Sequence, residues 1–180
     1  DKITSKIVAK EAGVATIPGI EKPIRNEEEA LLFARSCGYP VMIKAAAGGG
    51  GRGMRIAQSQ EELLDKFQSA NNEAKKAFGD DSMFIEKYLH KPKHIEVQIL
   101  GDEYGNIVHL YERDCSIQRR HQKVIEYTPA FSLPVELREE ICQDALKIAR
   151  SIGYSNAGTV EFLVDSKGDH YFIEVNPRVQ

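Results

Sequence analysis

The chain has 180 residues, with 24 Lys plus Arg against 27 Asp plus Glu for a formal net charge of −3, and is 42% hydrophobic and 28% charged. At roughly 150 residues per domain this predicts one or two compact units of ordinary globular composition, with enough chain to bury a sizeable core. The slightly acidic balance excludes a general nucleic-acid binder, which carries a basic excess.

Three cysteines, Cys37, Cys115 and Cys142, stand far apart with no CxxC pair. No disulfide framework is expected, and a reducing compartment fits. No apolar run reaches the roughly 18 residues of a membrane span, and no charged start followed by an apolar stretch reads as a signal peptide. A cytoplasmic protein, or one of an organellar matrix, is expected, with neither nucleic acid nor membrane as a partner. The chain opens at Asp1 without methionine and closes at Gln180 directly after an apparent strand, the pattern expected of a fragment.

In chain order, residues 2–12 predict a helix with Ile3, Ile7 and Val8 on one face, stopped by Gly13. After a loop from Pro18 to Pro23, Asn26 and Glu29 form a capping-box-like pair that opens a second helix running to Gly38. Residues 41–44 read as a short apolar strand, 45–53 as a glycine-rich segment and 54–57 as another strand. Ser59 and Glu62 form a second box, opening a helix whose Leu63, Phe67, Ala70, Ala74 and Phe78 recur at spacings of three and four. Residues 83–87 are a strand. From His94 the pattern turns to strands, at 94–100, 107–112 and 123–127. Ser132 is expected to cap a helix to Ile152, with Leu137, Ile141, Ala145, Ile148 and Ile152 as its apolar stripe and Gly153 as its stop. Residues 158–164 and 170–176 read as a hairpin around Ser166, Lys167 and Gly168. The division expected is an opening helix and linker at 1–16, a small α/β lid at 17–88 and part of a core subdomain at 89–180, an α+β chain overall.

Three constellations carry chemistry. Gly48, Gly49, Gly50, Gly51, Arg52 and Gly53 match GxGxxG in form, but a dinucleotide fingerprint opens into a helix and here a strand-like Met54-Arg55-Ile56-Ala57 follows. A Walker A loop needs its lysine after the glycines, and Lys44 precedes them. What remains is a strand, a lysine and a glycine loop whose unobstructed N–H groups can close on phosphate oxygens, or a flexible hinge.

In the hairpin, Glu174 and Asn176 share a face by the two-residue period. A two-residue turn at Lys167-Gly168 places Glu161 opposite Glu174, whereas a longer turn moves the register by one and breaks that pairing. Opposed carboxylates repel unless a cation lies between them, and the oxygen donors of Glu161, Glu174 and Asn176 suit Mg2+. A solvated strand face is the alternative.

The run from Arg113 to Lys123 has four fixed positive charges against one negative and reads as a basic loop suited to an anion. His94, Glu96 and Gln98 form the polar row of a strand. Such a row is ordinarily a solvent-facing edge, though it can also line a nucleotide cleft. Together these features point to nucleotide-dependent phosphoryl transfer, in which positioning and charge neutralisation supply most of the catalysis.

The strings Lys44-Ala45-Ala46-Ala47, Glu86-Lys87-Tyr88-Leu89, His94-Ile95-Glu96-Val97-Gln98, Glu112 through Lys123 (ERDCSIQRRHQK) and Phe172-Ile173-Glu174-Val175-Asn176-Pro177-Arg178 closely resemble biotin carboxylase, an ATP-grasp enzyme. The resemblance covers essentially the whole chain. The ending Asn176 to Gln180, with His109-Leu110-Tyr111 and Asn156 to Val160, is nearer the pyruvate carboxylase branch than the acetyl-CoA or propionyl-CoA branches.

The resemblance implies that ATP phosphorylates bicarbonate to carboxyphosphate, which breaks down to CO2 and phosphate, and that N1′ of biotin is then carboxylated. It places ATP on Lys2, Lys44, the glycines Gly48 to Gly51 and Gly53, Glu86, Leu89, His94, Gln118 and His121. It places Mg2+ or Mn2+ on Glu161, Glu174 and Asn176, and anions on Lys123 and Arg178, with Arg178 holding bicarbonate and stabilising the biotin enolate. Implied partners are a biotin carrier domain and further copies in a homo-oligomer. The resemblance further implies that the family pattern continues on both sides of this segment, so the segment alone is expected to lack turnover. The alternatives are another carboxylate ligase of the carbamoyl-phosphate synthase type and a nucleotide-binding module without catalysis.

Overall fold

The computed structural model describes residues 2–20, 22–24, 26–45, 54–79, 82–119 and 122–178, the side chains of 2, 3 and 78 excepted. Two compact units emerge, one of residues 17–89 and the other of residues 1–16 with 90–180.

The smaller unit sets α2 (Glu27–Cys37) and α3 (Gln60–Phe78) against a three-stranded antiparallel sheet ordered β2 (Met54–Ala57), β1 (Val41–Ala45), β3 (Met83–Lys87). Both helices begin at the caps the sequence predicts: the amide of Glu29 donates to Asn26 Oδ1 at 2.9 Å, and that of Glu62 to Ser59 Oγ at 3.3 Å. Each thereby satisfies one of the free N–H groups that open a helix. Leu63, Phe67, Ala70 and Ala74 of α3 are buried against Val41, Ile43, Ala57, Met83 and Ile85 of the sheet.

In the larger unit five antiparallel strands are ordered β6 (Gln122–Tyr127), β5 (Ile107–Arg119), β4 (Lys93–Gly101), β7 (Asn156–Val164), β8 (His170–Asn176). One face packs on α4 (Val135–Ser151) and α1 (Lys2–Glu11). Ile95, Val97, Ile99, Val160, Phe162, Val164 and Phe172 from the sheet meet Ile141, Ala145, Ile148 and Ala149 of α4. Among the described side chains of α1 the buried one is Ala9, and Ile7 remains 40% exposed.

The structure corrects four expectations. The row His94, Glu96, Gln98 is no solvent-facing edge: β4 is the central strand, and Glu96 is fully buried between its neighbours. The basic loop is largely strand, because β5 continues to Arg119 and β6 resumes at Gln122, with Arg113 directly opposite Glu96. Opposite charges facing each other across a ladder favour that extension.

Ser132 does not cap α4. Pro134 holds the cap position without a side-chain bond, while Ser132 Oγ donates to Asp114 Oδ2 at 3.1 Å. Finally, the last hairpin turns through five residues, 165–169, yet Glu161 still faces Glu174. A register shift between Glu161 and Phe162, opposite Ile173, takes up the extra residue as a bulge.

Three buried carboxylates tie the loops to this scaffold. Glu112 accepts from Arg138 Nε at 2.5 Å and from the Ala130 amide at 2.9 Å. Asp114 accepts from the Ser116 amide and Tyr127 Oη, both at 2.9 Å. Asp144 pairs with Lys147 at 2.6 Å and His170 Nε2 at 2.8 Å. Burial alone would raise each carboxyl, but these hydrogen bonds outweigh it and hold all three below their ordinary values.

A depressed carboxyl stabilises the fold above its unfolded value, near pH 4, and that contribution disappears as pH falls through the folded value. Urea midpoints measured from pH 7 to pH 3 should therefore fall most steeply below about pH 4, and Asp144→Asn should flatten that fall while lowering the midpoint at pH 7. Separately, Phe162 is fully buried and meets Phe172 edge-on with ring centroids 6.3 Å apart. Phe162→Ala should cost about 3–5 kcal/mol in the same assay.

Candidate active site

The polar face of the five-stranded sheet, opposite α4, gathers most of the residues singled out from the larger unit's sequence. Alternation along β4 sends His94, Glu96 and Gln98 to this face; β7 adds Thr159 and Glu161, and β8 adds Glu174 and Asn176. Within the ladders Glu161 lies opposite both Glu96 and Glu174, and Asn176 opposite Thr159.

Lys123 of β6 reaches across β5 to this row. Its Nζ donates to Glu161 Oε1 at 2.8 Å and also contacts Glu96 Oε2. Asn176 Nδ2 donates to the same Glu161 Oε1 at 2.9 Å, and His94 Nε2 lies 2.6 Å from Glu161 Oε2. Gln118 Nε2, which donates to the Cys115 carbonyl at 2.8 Å, lies 2.9 Å from His94 Nδ1. An amide nitrogen can only donate, so Nδ1 accepts and the ring proton sits on Nε2, facing Glu161. His94, Gln118, Lys123, Glu161 and Asn176 therefore form one continuous hydrogen-bonded chain.

The electrostatics follow from this packing. Burial works to raise the Glu161 carboxyl, but the hydrogen bonds from His94 and Lys123, with the Lys123 charge, prevail and bring it down to about 2. Lys123 is pulled in the reverse sense: burial would lower it, and Glu161 and Glu96 raise it above the ordinary lysine value. Near neutral pH the carboxylate and the ammonium are both charged. Glu174 is half-buried, and among the described residues no side-chain hydrogen bond or ion pair engages it.

One pair on this face lies outside the site residues expected from the sequence. Glu96 and Arg113 form a buried ion pair, with Arg113 Nε 2.6 Å from Glu96 Oε1 and Arg113 Nη2 3.1 Å from Gln98 Oε1. A glutamate in the middle of the apolar alternation Ile95, Val97, Ile99 was the available signal. Glu96, Cys115 and Glu126 also cluster closely enough to hold a metal ion. Burial and the Glu96 charge push the Cys115 thiol up to about 12, and Arg113 already neutralises Glu96. That trio is an ion-pair neighbourhood rather than a thiolate site.

In the smaller unit, Lys44 of β1 meets Glu86 of β3 on the half-exposed face of the sheet, with their Nζ and Oε1 in contact. Leu89 is half-buried at the end of that unit. Arg178 is exposed just past β8, its amide donating to the Asn176 carbonyl at 2.9 Å. Lys2 opens α1. The side chain of Lys2, the glycines 48–51 and 53, and His121 lie outside the described residues.

No helix among the described residues is long and apolar enough to cross a membrane. The family model for the carbamoyl-phosphate synthase L chain, ATP-binding domain, matches residues 1–180. Among curated relatives, pyruvate carboxylase 1 of Caenorhabditis elegans is 57% identical over the whole chain, and mitochondrial pyruvate carboxylase of Homo sapiens 56%. The chain spans 15% of the length of each of these.

Two solved structures are covered over 40% of their chains, with all of this chain matched. One is the biotin carboxylase of Campylobacter jejuni in its β,γ-ATP complex, at TM-score 0.88 and 51% identity. The other is the biotin carboxylase domain dimer of the Hydrogenobacter thermophilus 2-oxoglutarate carboxylase with MgADP, ADP and bicarbonate, at TM-score 0.86 and 53% identity. The match over every residue, together with the α+β architecture shared with these structures, establishes that the chain belongs to the carbamoyl-phosphate synthase L chain ATP-binding family and has the ATP-grasp fold of the biotin carboxylases.

Proposed function

We propose that this chain is the ATP-binding segment of a biotin-dependent carboxylase, of the pyruvate carboxylase kind, in which ATP and bicarbonate are used to carboxylate biotin. The observation that supports this most is the convergence of His94, Gln118, Lys123, Glu161 and Asn176 in one hydrogen-bonded chain on the polar sheet face. That face offers oxygen donors beside fixed positive charge, which a reaction between a nucleotide phosphate and a small anion requires.

Attack of a bicarbonate oxygen on the γ-phosphorus of ATP forms the new O–P bond of carboxyphosphate and releases ADP. Carboxyphosphate then splits to CO2 and inorganic phosphate, and N1′ of biotin loses its proton and takes the CO2 carbon. Lys123 and Arg178 neutralise the anions. Lys44, Glu86 and Leu89, with Lys2, the glycine segment, Gln118 and His121, hold the nucleotide, and His94 lies near its ribose.

The donor set fits a hard divalent cation. Glu161, Glu174 and Asn176 carry side-chain oxygens, and the Glu174 carboxylate is engaged by no described residue. Bound Mg2+ or Mn2+ would offset phosphate charge there. Holding the Asn176 amide and the Lys123 ammonium against Glu161 is the work of the chain itself. A biotin carrier domain and assembly into a homo-oligomer belong to this reading, as does a site in the cytoplasm or an organellar matrix.

In the full-length polypeptide, bicarbonate-dependent ATP cleavage should be stimulated by free biotin. Absence of stimulation would contradict the reading and favour a ligase of the carbamoyl-phosphate synthase type. Glu174→Gln should lower that rate on the order of 100-fold, and an unchanged function would instead indicate a nucleotide-binding module without catalysis. Lys44→Gln should act mainly on ATP, raising its KM about tenfold or more.

A further inference from the structure

Lys123 is held from two sides, by Glu161 Oε1 at 2.8 Å and by Glu96 Oε2. Glu161 is fastened at both oxygens by His94, Asn176 and Lys123. Glu96 is the second support of Lys123: it is a fully buried carboxylate on a three-torsion side chain.

Its other oxygen is taken by Arg113, with Nε at 2.6 Å and Nη2 at 2.5 Å from Oε1. Arg113 is fixed in turn by Gln98 Oε1 at 3.1 Å and lies 3.8 Å from Glu126 Oε2. It stands directly opposite Glu96 in the β4–β5 ladder, five residues before the Gln118 that orients His94 and six before the end of β5. Two guanidinium N–H groups on one oxygen leave the opposite oxygen facing Lys123, a fork geometry that an ammonium does not reproduce. A buried carboxylate stripped of one cation retains its full charge demand and turns toward the cation that remains.

We propose that Arg113 is a positioning residue for Lys123, acting through Glu96: it pins one carboxylate oxygen so that the other holds the Lys123 ammonium at the shared edge of Glu96 and Glu161. Arg113 touches neither Lys123 nor any group assigned to ATP, bicarbonate or the cation, so its effect passes through one intermediary. The inference rests on the reading of Lys123 as an anion-holding residue of the proposed reaction.

The test uses the full-length polypeptide and the variants Arg113→Met, Arg113→Lys, Glu96→Gln and the double variant R113M/E96Q, with biotin-dependent ATP cleavage as the rate. Arg113→Met should lower kcat about tenfold or more, as expected when a catalytic group is displaced by a fraction of an ångström, with the KM for ATP within about twofold of the parent. Arg113→Lys, which restores the charge but not the fork, should recover only a minor part of that loss. The double variant should be no slower than Glu96→Gln alone, because the carboxylate through which Arg113 acts is gone. A kcat loss under twofold, or a loss that adds in full to that of Glu96→Gln, would overturn the proposal.

A crystal structure of Arg113→Met is read regardless of turnover, so a failure of the proposed reaction in the parent protein leaves this inference decidable. Lys123 Nζ displaced from Glu96 or Glu161 supports it; Lys123 unmoved refutes it. Should Arg113→Met not fold, Arg113→Gln, which keeps an NH2 donor group but no charge, is measured in its place.

Discussion

A fully buried carboxylate in the centre of a sheet sets the terms for this molecule. Glu96 sits on β4, with β5 on one side and β7 on the other, and carries a charge that the interior does not tolerate alone. Among the described residues two cations answer it, Arg113 from the paired strand and Lys123 from the strand beyond. Once Lys123 is there, Glu161 on the other neighbouring strand can also remain ionised beside Glu96, although the two carboxylates face each other across the ladder. The cost of burying charge thus specifies the register of four strands. It also leaves a row of fixed, oppositely charged groups whose arrangement is set before any substrate arrives, and preorganisation of this kind is where electrostatic catalysis draws its strength.

The opposite face of the same strands does different work. Ile95, Val97, Ile99, Val160 and Phe162 alternate with the polar row and bury against α4. Period-two alternation therefore divides one sheet into a structural face and a chemical face. A bulge between β7 and β8 keeps the two in step: without it the five-residue turn would carry Glu174 and Asn176 onto the apolar side.

Much of this was legible in the sequence where local physics decides. Asn26 and Ser59 announce α2 and α3 because a side-chain acceptor three residues before an open amide needs no tertiary context. Glu161, Glu174 and Asn176 were visible as an oxygen-donor set because alternation within one hairpin is also local. What was not legible depends on distant partners. The burial of Glu96 follows from β4 being central, and no feature of the strand itself states how many neighbours it has. The run Arg113 to Lys123 resembles a basic loop by composition, and its part up to Arg119 is strand because an acid waits across the ladder. Ser132 has the chemistry of a cap, yet the buried Asp114 offers it a stronger partner. The facing of Glu161 and Glu174 was anticipated from a short turn, whereas a longer turn and a compensating bulge produce the same pairing.

On the reading proposed above, the polar face of this sheet serves phosphoryl transfer from ATP to bicarbonate. This role is tested most directly by turning over the full-length polypeptide with 18O-labelled bicarbonate and analysing the inorganic phosphate released. If a bicarbonate oxygen attacks the γ-phosphorus and carboxyphosphate then breaks at its C–O bond, one labelled oxygen must appear in each phosphate. Phosphate free of label, with ATP consumed and biotin carboxylated, would contradict the account.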